Sequence, residues 1–219
     1  NPIEYVHRLY VNEEEVTYLD IPDGITSVSN YFLNACTGIK GVTIPSSVTT
    51  IGEYAFCNCT GLTSITIPEG VTSIGKSCFY NCAGLTSIAI PNGVTSIEDD
   101  TFNGCSGLTS VTIPLSVNTI GYKAFAYCEN LKSVSLGNGV KEIGGWAFSG
   151  CTNLSKAEFS SIESLMNIDF ADERSNPLYY AHHLYINGEE ITTLTVPSGT
   201  SAINDCLFEN CESLTSVTI

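Results

Sequence analysis

The amino-acid sequence predicts a repeat solenoid, in which similar units stack along one axis and share a single core. Three residue types mark the same period of 23 residues. The dipeptide Ile-Pro recurs at this interval from Ile21 to Ile113. Cysteine recurs from Cys36 to Cys151, and phenylalanine follows the same interval from Phe56 onward. One such unit cannot cover its own apolar face, so the units are expected to stack.

Each unit, numbered from its Ile at position 1, closes with a predicted strand. Ser64, Ile65 and Thr66 alternate polar and apolar side chains, which is typical of a strand buried on one side. Pro68 ends the strand because proline has no N–H for a sheet, and residues 67–70 fit a type I turn with Pro second. We therefore expect a parallel sheet on one face and turns, short helical or 3-10 segments on the other. A period in the range of roughly 20–29 residues makes the predicted fold class leucine-rich-repeat-like.

The chain is predicted to be one solenoid, residues 1–219. Its segments are the end of a long unit (1–20), six units of 23 residues (21–158), one unit of 37 residues (159–195) and a seventh short unit (196–219). Residues 176–197 repeat the pattern of residues 1–22. Neither end carries the polar cap usual in repeat arrays, so we expect a fragment of a longer array, with any signal peptide or anchor outside it.

The long unit contains two local signals. Residues 160–163, Ser-Ser-Ile-Glu, resemble a capping box and predict a short helix near residues 162–167. Asn187-Gly188 lies between two apolar-polar runs and predicts a hairpin with a two-residue type I′ turn. The unit is thus expected to add a hairpin to the stack.

Charge and composition exclude several function classes. Eight basic and 23 acidic residues give a net charge of −15, which is unsuited to nucleic acid or to an anionic membrane surface. No apolar run reaches 18 residues, so no membrane-inserted helix is expected. No nucleophile motif or glycine-rich phosphate loop is present, which predicts a protein without enzyme activity or cofactor.

The units resemble the BspA-like leucine-rich repeat family. The resemblance rests on Ile-Pro-Glu-Gly-Val-Thr-Ser-Ile-Gly (67–75), followed by Phe79 and Cys82, and on the longer element at 176–185. It covers essentially the whole chain, with departures at Glu98 and at Leu136-Gly137. It implies a bacterial protein that is secreted or on the cell surface and binds host proteins or other cells.

Ten cysteines raise the question of disulfides or a metal site. Seven share position 16, where stacked units place them parallel and about 5 Å apart, farther than disulfide geometry allows. We expect small buried hydrophobes with weak S–H donors, and Cys57, Cys78 and Cys206 lie off this row. The position-16 residues are Cys36, Cys59, Cys82, Cys105, Cys128, Cys151 and Cys211.

Other ligand-type residues have structural interpretations. Residues 98–100 and 13–15 are acidic runs, but they lack the spaced carboxylates and turn glycine of a calcium loop. His7 and His182 occupy equivalent repeat positions, which favours a structural role. No metal site is predicted.

A candidate ligand patch lies at positions 10, 11, 14 and 15, which vary between units. There the fifth and sixth units place Tyr122, Lys123, Tyr127 and Trp146, the only Trp of the chain. Stacking of adjacent units should bring Tyr122 and Trp146 side by side. Aromatic residues with polar tips are enriched at interfaces, which makes these rings candidate ligand contacts. The alternative is that these rings only shield the edge of the stack. The strand face has few residues of the types that dominate binding energy, because its outward residues are mainly Ser and Thr.

These features favour an extracellular or cell-surface binding and adhesion module. The expected partner is a host or cell-surface protein or a glycan. The alternative function is a structural spacer that displays another domain away from the cell. A third interpretation of the Ser and Thr rows is an ice-binding surface, but Gly41 and Ala89 interrupt these rows.

Overall fold

The computed structural model describes residues 8–200, 203–204 and 206–219. Two rows of parallel strands run along the stack, and equivalent residues of successive units pair in register. Ser110 pairs with Ser133, and Ser133 pairs with Lys156, each step being one repeat. The predicted solenoid of 23-residue units is therefore confirmed.

Strands of three or four residues form what we call the long-strand row. Because Ser64 and Thr66 are exposed and Ile65 is buried, this row has the predicted alternation. The row comprises β3 (Tyr18–Asp20), β5 (Gly41–Thr43), β7 (Ser64–Thr66), β10 (Ser110–Ile113), β12 (Ser133–Leu136), β14 (Lys156–Phe159), β16 (Leu184–Ile186), β18 (Thr193–Thr195) and β19 (Ser216–Thr218). Their hydrogen-bonded orders are β3-β5-β7, β10-β12-β14-β16 and β18-β19, so the expected single sheet is interrupted twice, at residues 87–89 and between β16 and β18.

A second row of parallel strands, each two residues long, was not predicted. We call it the short-strand row, and in it one polar residue points out while one apolar residue points into the core. It comprises β4 (Ser27–Val28), β6 (Thr50–Ile51), β8 (Ser73–Ile74), β9 (Ser96–Ile97), β11 (Thr119–Ile120), β13 (Glu142–Ile143) and β15 (Asp169–Phe170). It also splits, into β4-β6-β8 and β9-β11-β13-β15.

The third side of the stack, positions 10–16, is the turn side. In the 23-residue units it consists of turns, and residues 11 and 15 of each unit have left-handed backbone conformations, such as Lys123 (φ 54°) and Tyr127 (φ 57°). Backbone bonds join each unit to the next, as where Phe102 N–H donates to Ala124 O at 2.8 Å. The turn side is therefore a rigid, repeating framework with variable side chains.

The turn that follows each strand differs by one residue from the prediction. Val71 N–H donates to Pro68 O at 3.0 Å, so Pro68 is the first residue of the turn and not the second. The same bond recurs from Val94 to Pro91 and from Val117 to Pro114. A first-position proline uses only its carbonyl, which suits a residue without an N–H.

Phenylalanine fills the centre of the stack. Phe56, Phe79, Phe102, Phe125 and Phe148 are fully buried and form what we call the Phe column. Successive ring centroids lie 5.2–5.5 Å apart with nearly parallel planes. Each ring contacts the rings of the neighbouring units, which explains how the repeat builds a continuous core.

Cysteine forms a second buried row beside the Phe column. Cys59, Cys82, Cys105, Cys128 and Cys151 each donate an S–H bond to the carbonyl 26 residues earlier, at 3.1–3.3 Å. This confirms the prediction of buried thiols that donate to the backbone for these five residues, whereas Cys211 of the last unit is only partly buried and contacts Ser213 Oγ at 3.6 Å. Burial raises the pKa of Cys105 and Cys151 to about 12.

The long unit holds the helices of the described chain. Helix α1 (Ile162–Met166) has Ser161 as its N-cap, paired reciprocally with Ser164, so the capping box predicted at residues 160–163 was displaced by one residue. A 3-10 helix (Glu173–Ser175) and α2 (Leu178–Ala181) follow.

The predicted hairpin is confirmed. Strand β16 pairs antiparallel with β17 (Glu189–Glu190), and Asn187 (φ 51°) and Gly188 (φ 82°) form the turn. Its N-terminal counterpart pairs β1 (Leu9–Val11) with β2 (Glu14–Val16). The two copies of the long-unit element thus share this local structure.

Candidate ligand-binding patch

The charged groups on the long-strand row satisfy one another. Lys156 Nζ lies 3.1 Å from Glu158 Oε2 and 4.8 Å from the centroid of the Tyr185 ring. Ser135 Oγ also donates to Glu158 at 3.0 Å. The pKa of Glu158 is lowered, chiefly by the hydrogen bond from Lys156. Because these groups are already paired and most other outward residues of the row are Ser and Thr, the face offers few free groups to a partner beyond Tyr18 and Asp20 at its first strand.

On the turn side, the structure brings three of the four predicted patch residues together. The ring centroids of Tyr122 and Trp146 are 6.3 Å apart, with an interplanar angle of 30°. Lys123 Nζ lies 5.0 Å from the Tyr122 centroid and 4.9 Å from the Trp146 centroid. The exposed fractions of Tyr122 and Trp146 are 44% and 41%. This arrangement, which we call the aromatic pair with its cation, is accessible to a macromolecular partner.

Backbone contacts explain why these side chains project from the stack. Lys123 and Trp146 have left-handed φ values of 54° and 61°. Tyr122 N–H donates to Asp99 Oδ1 at 2.8 Å, and Trp146 N–H donates to the Asp172 carboxylate at 3.1 Å. The two carboxylates are therefore occupied in fixing the turns that carry the pair.

Tyr127 packs on the sixth unit and, after the hydrogen bond of Lys123 to Tyr122, contributes electrostatically to the raised pKa of Lys123. It is 51% exposed, and its ring covers Gly150, where an added Cβ would lie 2.8 Å from Tyr127 Cδ1. Glycine at position 150 therefore gives the Tyr127 ring a flat backbone surface to pack on.

Arg174 is a member of the patch that sequence reasoning missed. Its guanidinium carbon lies 5.9 Å from the Trp146 ring centroid. The backbone bond from Phe148 N–H to Arg174 O, at 3.1 Å, holds the 3-10 helix beside the sixth unit. The pattern Asp172-x-x-Ser175 signals a helix start. That signal locates a turn but does not predict contact with a residue 28 positions earlier in the chain.

Carboxylates surround this cationic spot. Asp100 acts electrostatically on Lys123, whose pKa is raised first by its hydrogen bond to Tyr122. Glu173 Oε1 lies 3.8 Å from Arg174 Nε. Beside Tyr122, a groove of about 390 Å³ is bordered by Asp99, Glu142 and Asp169 among its lining residues. The patch is thus a small basic and aromatic area on an acidic surface.

The acidic run 98–100 does not converge on one point. Glu98 accepts from Ser96 Oγ, Asp99 from the Tyr122 backbone and Lys76, and Asp100 from Asn103. Among the described residues, no group of three His, Cys, Asp or Glu side chains is placed to hold a metal ion.

The histidines of the described chain have local partners. His182 Nδ1 lies 3.0 Å from Asn210 O, and His183 Nδ1 lies 2.5 Å from Glu190 Oε1. His7 and residues 1–6, which carry part of the long-unit repeat, lie outside the described residues. In the part of the chain that is described, no helix has the length and apolar character needed to cross a membrane.

Comparison with protein families identifies the repeat. A model described as the BspA type leucine rich repeat region matches in 6 copies, over residues 7–129, 72–176 and 178–219. No curated protein sequence matches the chain.

Solved structures agree with this match. A leucine-rich repeat protein from T. pallidum is 36% identical over 64% of this chain and 68% of that chain, with a TM-score of 0.62. A leucine-rich repeat protein from Bacteroides ovatus is 22% identical, covering 93% of this chain and 60% of that one, with a TM-score of 0.56. The pneumococcal vaccine antigen PcpA is 18% identical over 85% and 42%, with a TM-score of 0.53. The last two share the fold.

Proposed function

The chain belongs to the BspA-type leucine-rich repeat family, and on that premise we propose that it is a non-enzymatic binding module at the cell surface or outside the cell. Its proposed ligand patch is Tyr122, Lys123, Tyr127 and Trp146, extended by Arg174. Leucine-rich repeat proteins generally bind other proteins, which supports a host or cell-surface protein as the partner.

One observation carries this proposal: two cations lie over an exposed aromatic pair in a chain of net charge −15. The nearby carboxylates of Asp99 and Asp172 are engaged with backbone N–H groups. The ammonium of Lys123 therefore remains available to a carboxylate of the partner. Exposed Trp, Tyr and Arg are also the residue types that dominate binding energy at interfaces.

The same contacts favour a protein over a neutral glycan. A sugar ring binds by stacking on an open aromatic face, but Trp146 already has Tyr122, Lys123 and Arg174 against its ring. A long polyanionic glycan would meet the surrounding carboxylates, among them Asp100. A protein surface of mixed charge can place a carboxylate on the cations and basic groups on the acidic rim.

The second candidate is a structural spacer, in which exposed rings only cover the edge of the stack. It is favoured by Tyr31 and Tyr54, which stack at position 11 of the first two units with centroids 5.0 Å apart and planes 1° apart. That pair lies on the same turn side, with both rings at position 11, where the aromatic pair uses positions 10 and 11. It therefore supplies the matched control for the patch.

The test is binding of the chain to immobilised host matrix proteins, cell-surface proteins and glycans. Two variants are compared after circular dichroism has shown that both are folded: Tyr122→Ala with Tyr127→Ala and Trp146→Ala, and the control Tyr31→Ala with Tyr54→Ala. We expect the first to lose affinity at least tenfold and the second to keep it. Unaltered affinity in the triple variant excludes the patch, and absence of binding to every probe supports the spacer.

A further inference from the structure

Both strand rows are interrupted at one level of the stack, around the third unit (67–89) and its junction with the fourth (90–112). Both units lie entirely within the described chain. In the short-strand row, the bond from Thr72 N–H to Thr49 O (2.9 Å) recurs from Asn118 to Thr95 (2.8 Å), but no such bond joins Thr95 to Thr72. We call this open junction between β8 and β9 the seam.

The long-strand row is disturbed at the same level. The backbone bonds from Thr86 to Thr63 and from Thr109 to Thr86 measure 3.5 and 3.3 Å, whereas the next bond, from Lys132 to Thr109, measures 2.9 Å. Residues 87–89 form no strand. Both rows therefore loosen together.

The turn side stays closed across the seam. Phe79 N–H donates to Thr101 O at 2.9 Å, and Asn81 N–H donates to Asn103 O at 2.7 Å. The rings of Phe79 and Phe102 remain stacked, with centroids 5.5 Å apart. The two halves of the stack are thus firmly joined along one side, held by long backbone bonds along the second and missing backbone bonds along the third, which is the geometry of a hinge.

The residue at position 9 accounts for the opening. In the other 23-residue units after the first it is glycine, and its backbone lies directly on the preceding unit. A Cβ added to Gly75 would lie 2.5 Å from Glu53 N, and one added to Gly121 would lie 2.6 Å from Asp99 N. Glycine in a strand is typical where another backbone approaches this closely. In the fourth unit this position is Glu98.

The length of the backbone bond from the position-9 N–H increases with the size of the side chain at that position. The position-9 N–H of each glycine donates to the preceding unit at 2.7–2.8 Å, as from Gly121 to Ile97. At the equivalent place in the long unit, Ala171 donates to Ile143 at 3.1 Å. Between Glu98 and Ile74 the bond is missing. A larger side chain therefore corresponds to a longer bond between the two units and finally to its loss.

We propose that Glu98 is a built-in spacer that creates a hinge between the third and fourth units. About this hinge, units one to three tilt relative to the units that carry the aromatic pair. The hinge is independent of the proposed ligand patch, since it rests on backbone bonds alone. It would let a solenoid with an otherwise fixed curvature adjust its long faces to a partner.

The decisive experiment measures amide hydrogen exchange in Glu98→Gly. The closed junction should slow exchange at Thr95 and at residue 98 by about tenfold or more, because each amide gains a buried partner. Asn118, the counterpart of Thr95 one unit later, serves as the internal control and should not change. Unaltered exchange at Thr95 in Glu98→Gly overturns the proposal.

Two further variants separate size from charge. Glu98→Gln keeps the volume and should keep the seam open, whereas a seam that closes in Glu98→Gln would assign the opening to repulsion and overturn the steric cause. Gly121→Glu should open a second seam and speed exchange at Asn118. For the motion itself, residual dipolar couplings should require two alignment tensors in the unaltered chain and one in Glu98→Gly. A single tensor in the unaltered chain excludes the hinge.

Discussion

The Phe column and the aromatic pair are both stacks of rings contributed by successive units, yet they differ in what surrounds them. Phe79 and Phe102 are fully buried, with planes 1° apart and centroids separated by 5.5 Å. Tyr122 and Trp146 are more than two-fifths exposed, 6.3 Å apart, and in contact with Lys123.

The difference shows how this repeat separates stability from recognition. Position 13 faces the core, and an identical ring in each of five units lets each one stack on the next. Positions 10 and 11 face solvent on a backbone whose geometry is fixed by left-handed residues, so their side chains can change without altering the fold. Tyr31 and Tyr54 use that freedom for a parallel stack of two rings, and Tyr122 and Trp146 use it for a ring pair in contact with Lys123.

The largest effect is expected from alkaline pH, which ionises the buried thiols beside the Phe column. The pKa of Cys105 and Cys151 is raised from 9.0 to about 12 by burial. The unfolded chain loses these protons first, so their contribution is complete below pH 9 and is lost as pH rises towards 12. Each thiol should lower the unfolding free energy by about 1 kcal/mol per pH unit in that window.

Urea denaturation at several pH values between 9 and 12 tests this. Replacing both residues, Cys105→Ala with Cys151→Ala, should make the fall of unfolding free energy with pH shallower by the contribution of two thiols. An equal slope in the variant and in the unaltered chain would contradict the assignment.

The next effect is loss of one ring from the Phe column. Phe102→Ala should lower the unfolding free energy by about 3–5 kcal/mol, since it removes a fully buried ring and leaves a cavity. Hydrogen exchange should speed up mainly in units three to five, because contacts in a solenoid are with neighbours. Tyr31→Ala is the control, as that ring is 44% exposed and should cost about 1 kcal/mol or less. Similar losses for the two variants would remove the distinction drawn between buried and exposed stacks.

Residue identity at a fixed period predicted most of the fold. The Phe column and the cysteine row followed from spacing, and the hairpin followed from the Asn187-Gly188 turn signal. The short-strand row did not, because strands of two residues, such as Ser73–Ile74, give no alternation long enough to recognise. The seam was not predicted either, although the sequence shows Glu98 where most units have glycine. Its effect depends on how closely glycine backbones approach one another, and only the packed units show that distance.

The patch was partly predictable for the same reason. Register between adjacent units places Tyr122 beside Trp146, and Lys123 follows Tyr122 in the chain. Arg174 comes from the long unit, where the 23-residue register is broken, so no spacing argument relates it to Trp146. Tyr127 shares the turn side, and its ring packs on Gly150.

The smallest effect is the coupling between Lys123 and Trp146, and it bears directly on the ligand. A double-mutant cycle with Lys123→Met and Trp146→Leu, measured by urea denaturation, should give a coupling of about 0.5–1 kcal/mol, the usual strength of an exposed cation–π contact. The same cycle between Lys76 and Tyr54 is the control and should give a smaller coupling, because Lys76 Nζ is paired with Asp99 Oδ2 at 3.3 Å.

A measurable coupling means that the Trp146 ring is already covered by the chain's own cation, as the 4.9 Å distance indicates. A partner must then bind through charge and ring edges, which favours a carboxylate on a protein surface. Zero coupling would mean that the ammonium leaves the ring in solution. The aromatic face would then be open to stack on a sugar, and a glycan would become the better candidate ligand.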